Sequence, residues 1–160
     1  MTANSAKGVT LNYIKKILIC LDGSKYSEQI IPLAMEIALN FKSEVFLMRV
    51  SPEPIVRRPP VPDDPMEDES YVIEARKTYN QINTYLEKHA EPYRQKGIEI
   101  KTVIQSGRAG DIIVSFAKKK DIDLIALGAH GRGRVDRAVL GSVVSHVIKE
   151  TKLPALVIRT

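Results

Sequence analysis

Two glycine-containing segments of this chain could bring its backbone against phosphate. The first is Gly128-Ala129-His130-Gly131-Arg132, and nine residues separate Gly131 from the second, Gly141-Ser142. Glycine lets a backbone approach a ligand because no Cβ stands in the way. A helix that begins at Gly141-Ser142 would add free N–H groups and a positive dipole end, and the serine hydroxyl could cap it or donate to phosphate. These residues therefore predict a phosphate-containing ligand.

Asp22 is a third candidate, because it follows the apolar run Lys16–Leu21 and precedes Gly23-Ser24. Its carboxylate could contact a ribose, or hold Mg²⁺ weakly together with phosphate oxygens. Alternatively, Asp22 only stabilises the turn before the first helix, as aspartates often do. Gly128 and Gly131 could likewise be turn residues without a ligand.

Residues that could catalyse hydrolysis are few. Hydrolysis needs a positioned water and stabilisation of the charge on the transferred phosphoryl group. His130 could act as a base, although a loop histidine beside phosphates more commonly donates a hydrogen bond. Arg132, Arg134 and Arg137 could neutralise phosphates or be solvated loop charges. Because these residues form no complete catalytic set, we expect slow or absent turnover.

Short apolar segments alternate with helical patterns along the chain, which predicts βα units and a parallel sheet. The predicted strands are Lys16–Leu21, Glu44–Val50, Ile98–Val103, Asp123–Leu127 and Pro154–Ile158. The predicted helices contain Ile30–Phe41 (with Pro32 in the first turn), Tyr71–Lys96, Ile112–Ala117 and Ser142–Lys149. The pattern gives five strands and four helices in strict alternation.

The apolar content of the strands predicts their order. The first and fourth strands are almost wholly apolar and should be interior, whereas the third alternates and should lie at an edge. Right-handed crossovers then give an α/β fold: an open, doubly wound, five-stranded parallel sheet in the order 3-2-1-4-5, with helices on both faces. Ligands bind where such an order reverses, so Asp22 and Gly128 should meet at one crevice.

We expect one domain over residues 1–160, with a flexible N-terminus at 1–12 and a long mobile loop at 51–70. Six prolines and six acidic residues lie between Ser51 and Glu69, so this loop is either a functional lid or a passive linker. No apolar run approaches the ~20 residues that span a membrane, and the N-terminus lacks a signal-peptide pattern. With one cysteine, Cys20, a cytoplasmic location is the simplest expectation.

The net charge of +5 comes from basic residues spread along the chain, and aromatic residues make up only 6%. This distribution disfavours nucleic acid as a partner but suits a small phosphate-bearing ligand. The chain lacks the G-x-x-x-x-G-K-[ST] motif, and the single Gly23 after the first strand is not a dinucleotide fingerprint. His130 has no second histidine nearby, as paired-histidine adenylyl transferases would require.

The spacing Gly128-x2-Gly131-x9-Gly141-Ser142 resembles the G-2x-G-9x-G-(S/T) motif of the ATP-binding branch of the universal stress proteins. The segments Lys16–Ser24, Leu124–Arg132 and Pro154–Ile158 are also similar to that family. The resemblance extends from Tyr13 to Arg159 and implies an adenine nucleotide alpha hydrolase-like fold. It implies ATP, or AMP or ADP, as the ligand.

By position, the resemblance implies that Asp22 lies near the ribose and phosphates and could bind them through Mg²⁺. Leu21, Val50 and Leu127 would wall the adenine pocket. The residues that the resemblance implies hold the ribose and phosphates are Gly128, His130, Gly131, Gly141, Ser142 and Val143. Arg132, in the same loop, is a further candidate because its charge could neutralise the phosphates. At Arg49 many relatives have histidine, so the adenine side of the pocket departs from the family pattern here.

The resemblance further implies a homodimer joined through the last strand, residues 155–159, whose apolar edge fits that arrangement. The expected function is a dimeric regulatory module in stress response that binds ATP with little or no turnover. Two alternatives stay open: a slow Mg-dependent ATPase, or a dimeric stress or scaffold protein that binds AMP or a cyclic adenine nucleotide.

Overall fold

The computed structural model describes residues 14–55, 69–129 and 140–159. Its strands are β1 (Lys16–Leu21), β2 (Glu44–Ser51), β3 (Ile100–Ser106), β4 (Leu124–Gly128) and β5 (Ala155–Ile158). They form one parallel sheet in the order β3-β2-β1-β4-β5, which confirms the predicted topology. The predicted flexible N-terminus at 1–12 lies outside the described residues, as do positions 56–68 of the predicted loop.

β1 occupies the middle of the sheet because both of its faces are apolar. Leu18, for example, pairs with Phe46 on β2 and with Ile125 on β4, and all three side chains are buried. β3 lies at an edge, as its alternating pattern predicts, but it begins at Ile100 rather than Ile98. The reason is that the N–H of Ile98 donates to the carbonyl of Tyr93, in the last turn of the preceding helix.

The helices are α1 (Lys25–Glu28), α2 (Ile30–Phe41), α3 (Glu69–Arg94), α4 (Ala109–Lys120) and α5 (Ser142–Glu150). Between β1 and β2 the sequence predicts one helix, but the structure has two. The short α1 forms because Ser24 caps it, its hydroxyl accepting a hydrogen bond from the N–H of Ser27 at 3.1 Å. Pro32 lies in the first turn of α2, as predicted, where a missing N–H costs nothing.

α3 begins and ends two residues earlier than the sequence predicts, at Glu69 and Arg94. Both ends of the predicted loop 51–70 therefore belong to regular structure, since Ser51 completes β2. After α3 the chain turns at Gly97, whose φ of +91° lies in the left-handed region that favours glycine. Of the helices in the described ranges, none is long and apolar enough to cross a membrane.

Each interior strand supplies alternate side chains to two separate cores. From β1, Ile17, Ile19 and Leu21 pack on the side of the sheet covered by α2 and α3. Leu18 and Cys20 pack on the opposite side, which α4 and α5 cover. We call these the α2/α3 face and the α4/α5 face.

Candidate functional site

A cavity of about 130 Å³ opens at the carboxyl ends of β1 and β4, where the strand order reverses. The predicted site residues that line it are Leu21, Asp22, Val50, Leu127, Gly128, Gly141, Ser142 and Val143. Segments far apart in sequence therefore meet at one crevice, as the topology predicts. The remaining predicted residues, His130, Gly131 and Arg132, lie outside the described residues, as do Arg134 and Arg137.

Several residues that the sequence reasoning missed also line this cavity. They are Cys20, Ser27, Met48, Ala109, Ile113 and Val144. Strand alternation is a signal that could have found two of them, because Cys20 and Met48 lie two residues before Asp22 and Val50 on the same faces of β1 and β2. Ala109 and Ile113 lie four residues apart on α4, and no motif marks that helix as part of a site.

Asp22 is held by the turn that follows it. One of its carboxylate oxygens, Oδ1, accepts hydrogen bonds from the backbone N–H of Ser24 at 2.8 Å and from its hydroxyl at 2.6 Å. Gly23 between them has a φ of +84°, a conformation that favours glycine. The reading of Asp22 as a turn-stabilising residue is therefore correct. It is compatible with a role at the cavity, since the same bonds fix the carboxylate at the wall.

The N-terminus of α5 forms another wall. Gly141 is the N-cap residue, with φ −60° and ψ 157°, and its N–H donates to the carbonyl of Ala129 at 2.8 Å. Ser142 is the first helical residue and not the N-cap, and within the described residues no side chain caps the helix, so the expectation that the Ser142 hydroxyl is a cap is wrong. The first N–H groups of an α-helix have no partner within the helix, and they point to its N-terminal end. Ser142, Val143 and Val144, the residues that carry these groups, line the cavity.

Gly128 lines the cavity, but its lack of a side chain also permits a close contact with α1. A Cβ built on Gly128 would lie 3.1 Å from the Cα of Ser27 in α1. The glycine therefore lets α1 pack closely against the end of β4, in addition to any approach of a ligand to the backbone.

This contact predicts that Gly128→Ala lowers the free energy of unfolding by about 1 kcal/mol, because the backbone of α1 must shift to admit the methyl group. Urea denaturation of the variant and the wild type would measure the difference. Equal stability of the two proteins would contradict the close approach of α1 to β4.

The floor of the cavity is apolar and includes the thiol of Cys20, which is buried. Burial raises the pKa of this thiol well above its ordinary value, because a thiolate would lose its hydration there. The Cys20 side chain is therefore a small neutral group in the cavity.

A divalent cation at this site would have one protein carboxylate available. Asp22 is the only acidic residue among those that line the cavity in the described ranges, and no group of three or more His, Cys, Asp or Glu side chains occurs there. Mg²⁺ prefers six oxygen ligands and retains water readily. Asp22 fits such an ion only if phosphate and water oxygens supply the other ligands.

An open parallel sheet with a cavity at its switch point defines a doubly wound α/β protein. The profile of the Universal stress protein family matches residues 14–159, and the chain belongs to this family. It is 34% identical over 149 residues to Universal stress protein MJ0531 of Methanocaldococcus jannaschii, covering 92% of this chain and 84% of that protein.

Solved structures of universal stress proteins share the fold, which is adenine nucleotide alpha hydrolase-like, as the resemblance implies. One in complex with cAMP has a TM-score of 0.66 at 18% identity, covering 91% of this chain and 97% of that chain. Another, from Archaeoglobus fulgidus in complex with dAMP, has a TM-score of 0.57 at 20% identity, covering 93% of this chain and 100% of that chain. At these identities the likeness concerns the fold.

Proposed function

We propose that the cavity between β1, β4 and α5 binds an adenine nucleotide, with ATP as the first candidate. In this proposal the protein is a regulatory module of stress response with little or no turnover. The observation that carries it is the position of the cavity: an apolar pocket at the switch point, bordered by Asp22 and by the N-terminus of α5.

The distribution of polarity in the cavity supports a ligand with an apolar ring at one end. Met48, Val50 and Leu127 supply apolar side chains from the strands, and Ile113 supplies another from α4. Pockets for small ligands are typically apolar with a few convergent polar groups. A purine between these side chains would leave its ribose near Asp22.

The N-terminus of α5 supports a phosphate at the other end. Backbone N–H groups and the helix dipole together favour anions there. Gly141 and Ser142 belong to the spaced glycine motif, which the chain contains in full as Gly128-x2-Gly131-x9-Gly141-Ser142. In the proposal His130, Gly131 and Arg132 contact the same phosphates from the segment between β4 and α5.

Two relatives support adenine as the base, because they were solved with cAMP and with dAMP. Both ligands carry one phosphate, which favours AMP or a cyclic adenine nucleotide as the second candidate. ATP ranks first because it rests on the complete glycine motif.

Limited turnover is proposed because the groups that hydrolysis needs are sparse at the described walls. Asp22 is the acidic residue there, and its Oδ1 accepts two hydrogen bonds from Ser24. Mg²⁺, where it accompanies the nucleotide, would be held by Asp22 together with phosphate oxygens. Its charge would stabilise the phosphates rather than activate a water.

We also propose that residues 1–160 act as one cytoplasmic domain and that two copies join along residues 155–159. Among the described strands, β5 lies at an edge of the sheet and pairs with β4, and Ala155 is exposed. An edge strand presents backbone groups that a second copy could pair.

Thermal unfolding with a panel of ligands tests the function. A ligand present at about 100 times its Kd stabilises the folded state by roughly 2.7 kcal/mol, so each bound nucleotide raises Tm. We expect ATP, ADP and AMP to raise Tm, and GTP, the control that differs in its base, to have little effect. Response to cAMP or AMP alone would favour the second candidate. If no adenine nucleotide raises Tm, and none is found by mass spectrometry of the purified protein, the proposal is wrong.

A further inference from the structure

The guanidinium group of Arg49 lies against the turn that follows β1. A Cβ built on Gly23 would be 2.8 Å from Cζ, Nη1 and Nη2 of Arg49 alike. The charged end of the arginine thus takes the space that a side chain at residue 23 would fill. Arg49 reaches this place from β2, where it pairs in register with Leu21, the last residue of β1.

An aromatic ring on α3 fixes the guanidinium in this position. Cζ of Arg49 lies 5.1 Å from the centroid of the Tyr85 ring, within the range of a cation–π interaction. The hydroxyl of Tyr85 donates to Oε1 of Glu28 at 3.1 Å, and the ring packs edge-on against His89. Burial and the negative charge of Glu28 raise the pKa of Tyr85, so its hydroxyl stays a neutral donor. Tyr85 is therefore a fixed support for the arginine.

The charge of Arg49 lies beside the turn that carries the carboxylate of the proposed site. Gly23, which the guanidinium contacts, directly follows Asp22. The charges of Arg49 and Asp22 also both act on the Tyr85 phenol, so the two groups lie within electrostatic range of the same oxygen. A lone carboxylate beside bound phosphates repels them, and a divalent cation commonly offsets that repulsion. Arginine carries a permanent charge that can do the same without a metal.

We propose that Arg49 is a specificity-determining residue of this site: its guanidinium, held by Tyr85 against the Asp22-Gly23 turn, offsets the carboxylate charge so that nucleotide binding depends little on a divalent cation. The inference rests on the proposed nucleotide binding. Arg49 acts from the α2/α3 face, through the turn, on a cavity that lies at the α4/α5 face. It does not line the cavity itself.

The test is calorimetric titration of the full chain, freed of nucleotide, with ATP in Mg²⁺ and in EDTA. For the wild type we expect Kd to differ by less than about threefold between the two conditions. In Arg49→Met, which keeps an unbranched apolar side chain, we expect binding in EDTA to weaken about tenfold and binding in Mg²⁺ to change much less. Arg49→Lys keeps the charge but not the planar group, so its Kd in EDTA should lie between those of the wild type and Arg49→Met.

Two controls separate a charge effect from a change in the fold. Adenosine has no phosphate, so its affinity should be the same in Arg49→Met and the wild type. Arg76→Met removes an equal charge from an exposed position on α3 and should leave ATP binding unchanged in both conditions.

The inference is overturned if the wild type binds ATP and Arg49→Met has the same Kd for ATP as the wild type in EDTA. Equal loss of affinity for ATP and adenosine, or equal loss in Mg²⁺ and EDTA, would overturn it as well, because either result indicates a structural role. A wild type that binds no adenine nucleotide in either condition would instead refute the proposed function, and this inference with it.

Discussion

Ala109→Leu is expected to weaken adenine-nucleotide binding by about 100-fold, which corresponds to roughly 2.7 kcal/mol. Ala109 is the first residue of α4 and lines the cavity together with Ile113, one turn further along the helix. A leucine side chain in place of the methyl group would fill much of a cavity of about 130 Å³. The folded state should tolerate it, because the added carbon atoms enter existing apolar space rather than a packed core.

Calorimetry with ATP and AMP measures the affinity, and urea denaturation measures the free energy of unfolding, which should change by less than about 1.5 kcal/mol. Ser115→Leu on the same helix is the matched control, because Ser115 is exposed and does not line the cavity. Wild-type affinity in Ala109→Leu would show that the nucleotide binds elsewhere on the protein. Equal loss in both variants would show that the cause is not the cavity.

The second large effect concerns the contact between α4 and α5, where Gly110→Ala should destabilise the fold by about 1 to 3 kcal/mol. Alanine normally stabilises a helix relative to glycine by roughly 0.5–1 kcal/mol, so the expected sign is the reverse of the usual one. The reason is that a Cβ on Gly110 would lie 2.7 Å from Cδ2 and 3.0 Å from Cγ of His146. Moving the ring would also disturb the contact between His146 Nε2 and Asp111 Oδ1, which are 2.9 Å apart.

A double-mutant cycle tests this contact directly. In a His146→Ala background the ring is absent, so Gly110→Ala should become neutral or stabilising by about 0.5 kcal/mol. Urea denaturation of the wild type, both single variants and the double variant gives the coupling energy. If Gly110→Ala has the same cost with and without the His146 ring, the two helices do not meet through this pair.

The sheet could be predicted from the sequence because burial on both faces leaves a strong signal. The apolar runs of β1 and β4 mark interior strands, and the alternation Ile98–Val103 marks an edge. The split between α1 and α2 could not be predicted in this way. It depends on a local cap at Ser24 and on the hydrogen bond from the N–H of Gln29 to the carbonyl of Tyr26, three residues back, and no hydrophobic period reports either.

The walls of the cavity that strands supply were predictable for the same reason, since Leu21, Val50 and Leu127 lie at the carboxyl ends of interior strands. The α4 wall was not, because Ala109 and Ile113 belong to an ordinary amphipathic pattern, and their place beside the cavity follows only from how α4 packs on α5. The contact of Arg49 with the turn at Gly23 could not be predicted from the sequence either. It depends on the left-handed conformation of Gly23 and on the position of the Tyr85 ring of α3, and no sequence pattern reports either of them.

Cys20, the only cysteine of the chain, is buried at the floor of the cavity, and burial disfavours its thiolate. Thiol reagents such as a fluorescent maleimide or a spin label react with the thiolate, so the buried, neutral thiol of Cys20 should react with them slowly. We therefore expect little labelling of the wild-type protein by such reagents. Cysteines introduced in a pair, one on the exposed surface of α3 and one on that of α5, would carry the two probes, so the distance between these helices can be measured without first removing the natural thiol.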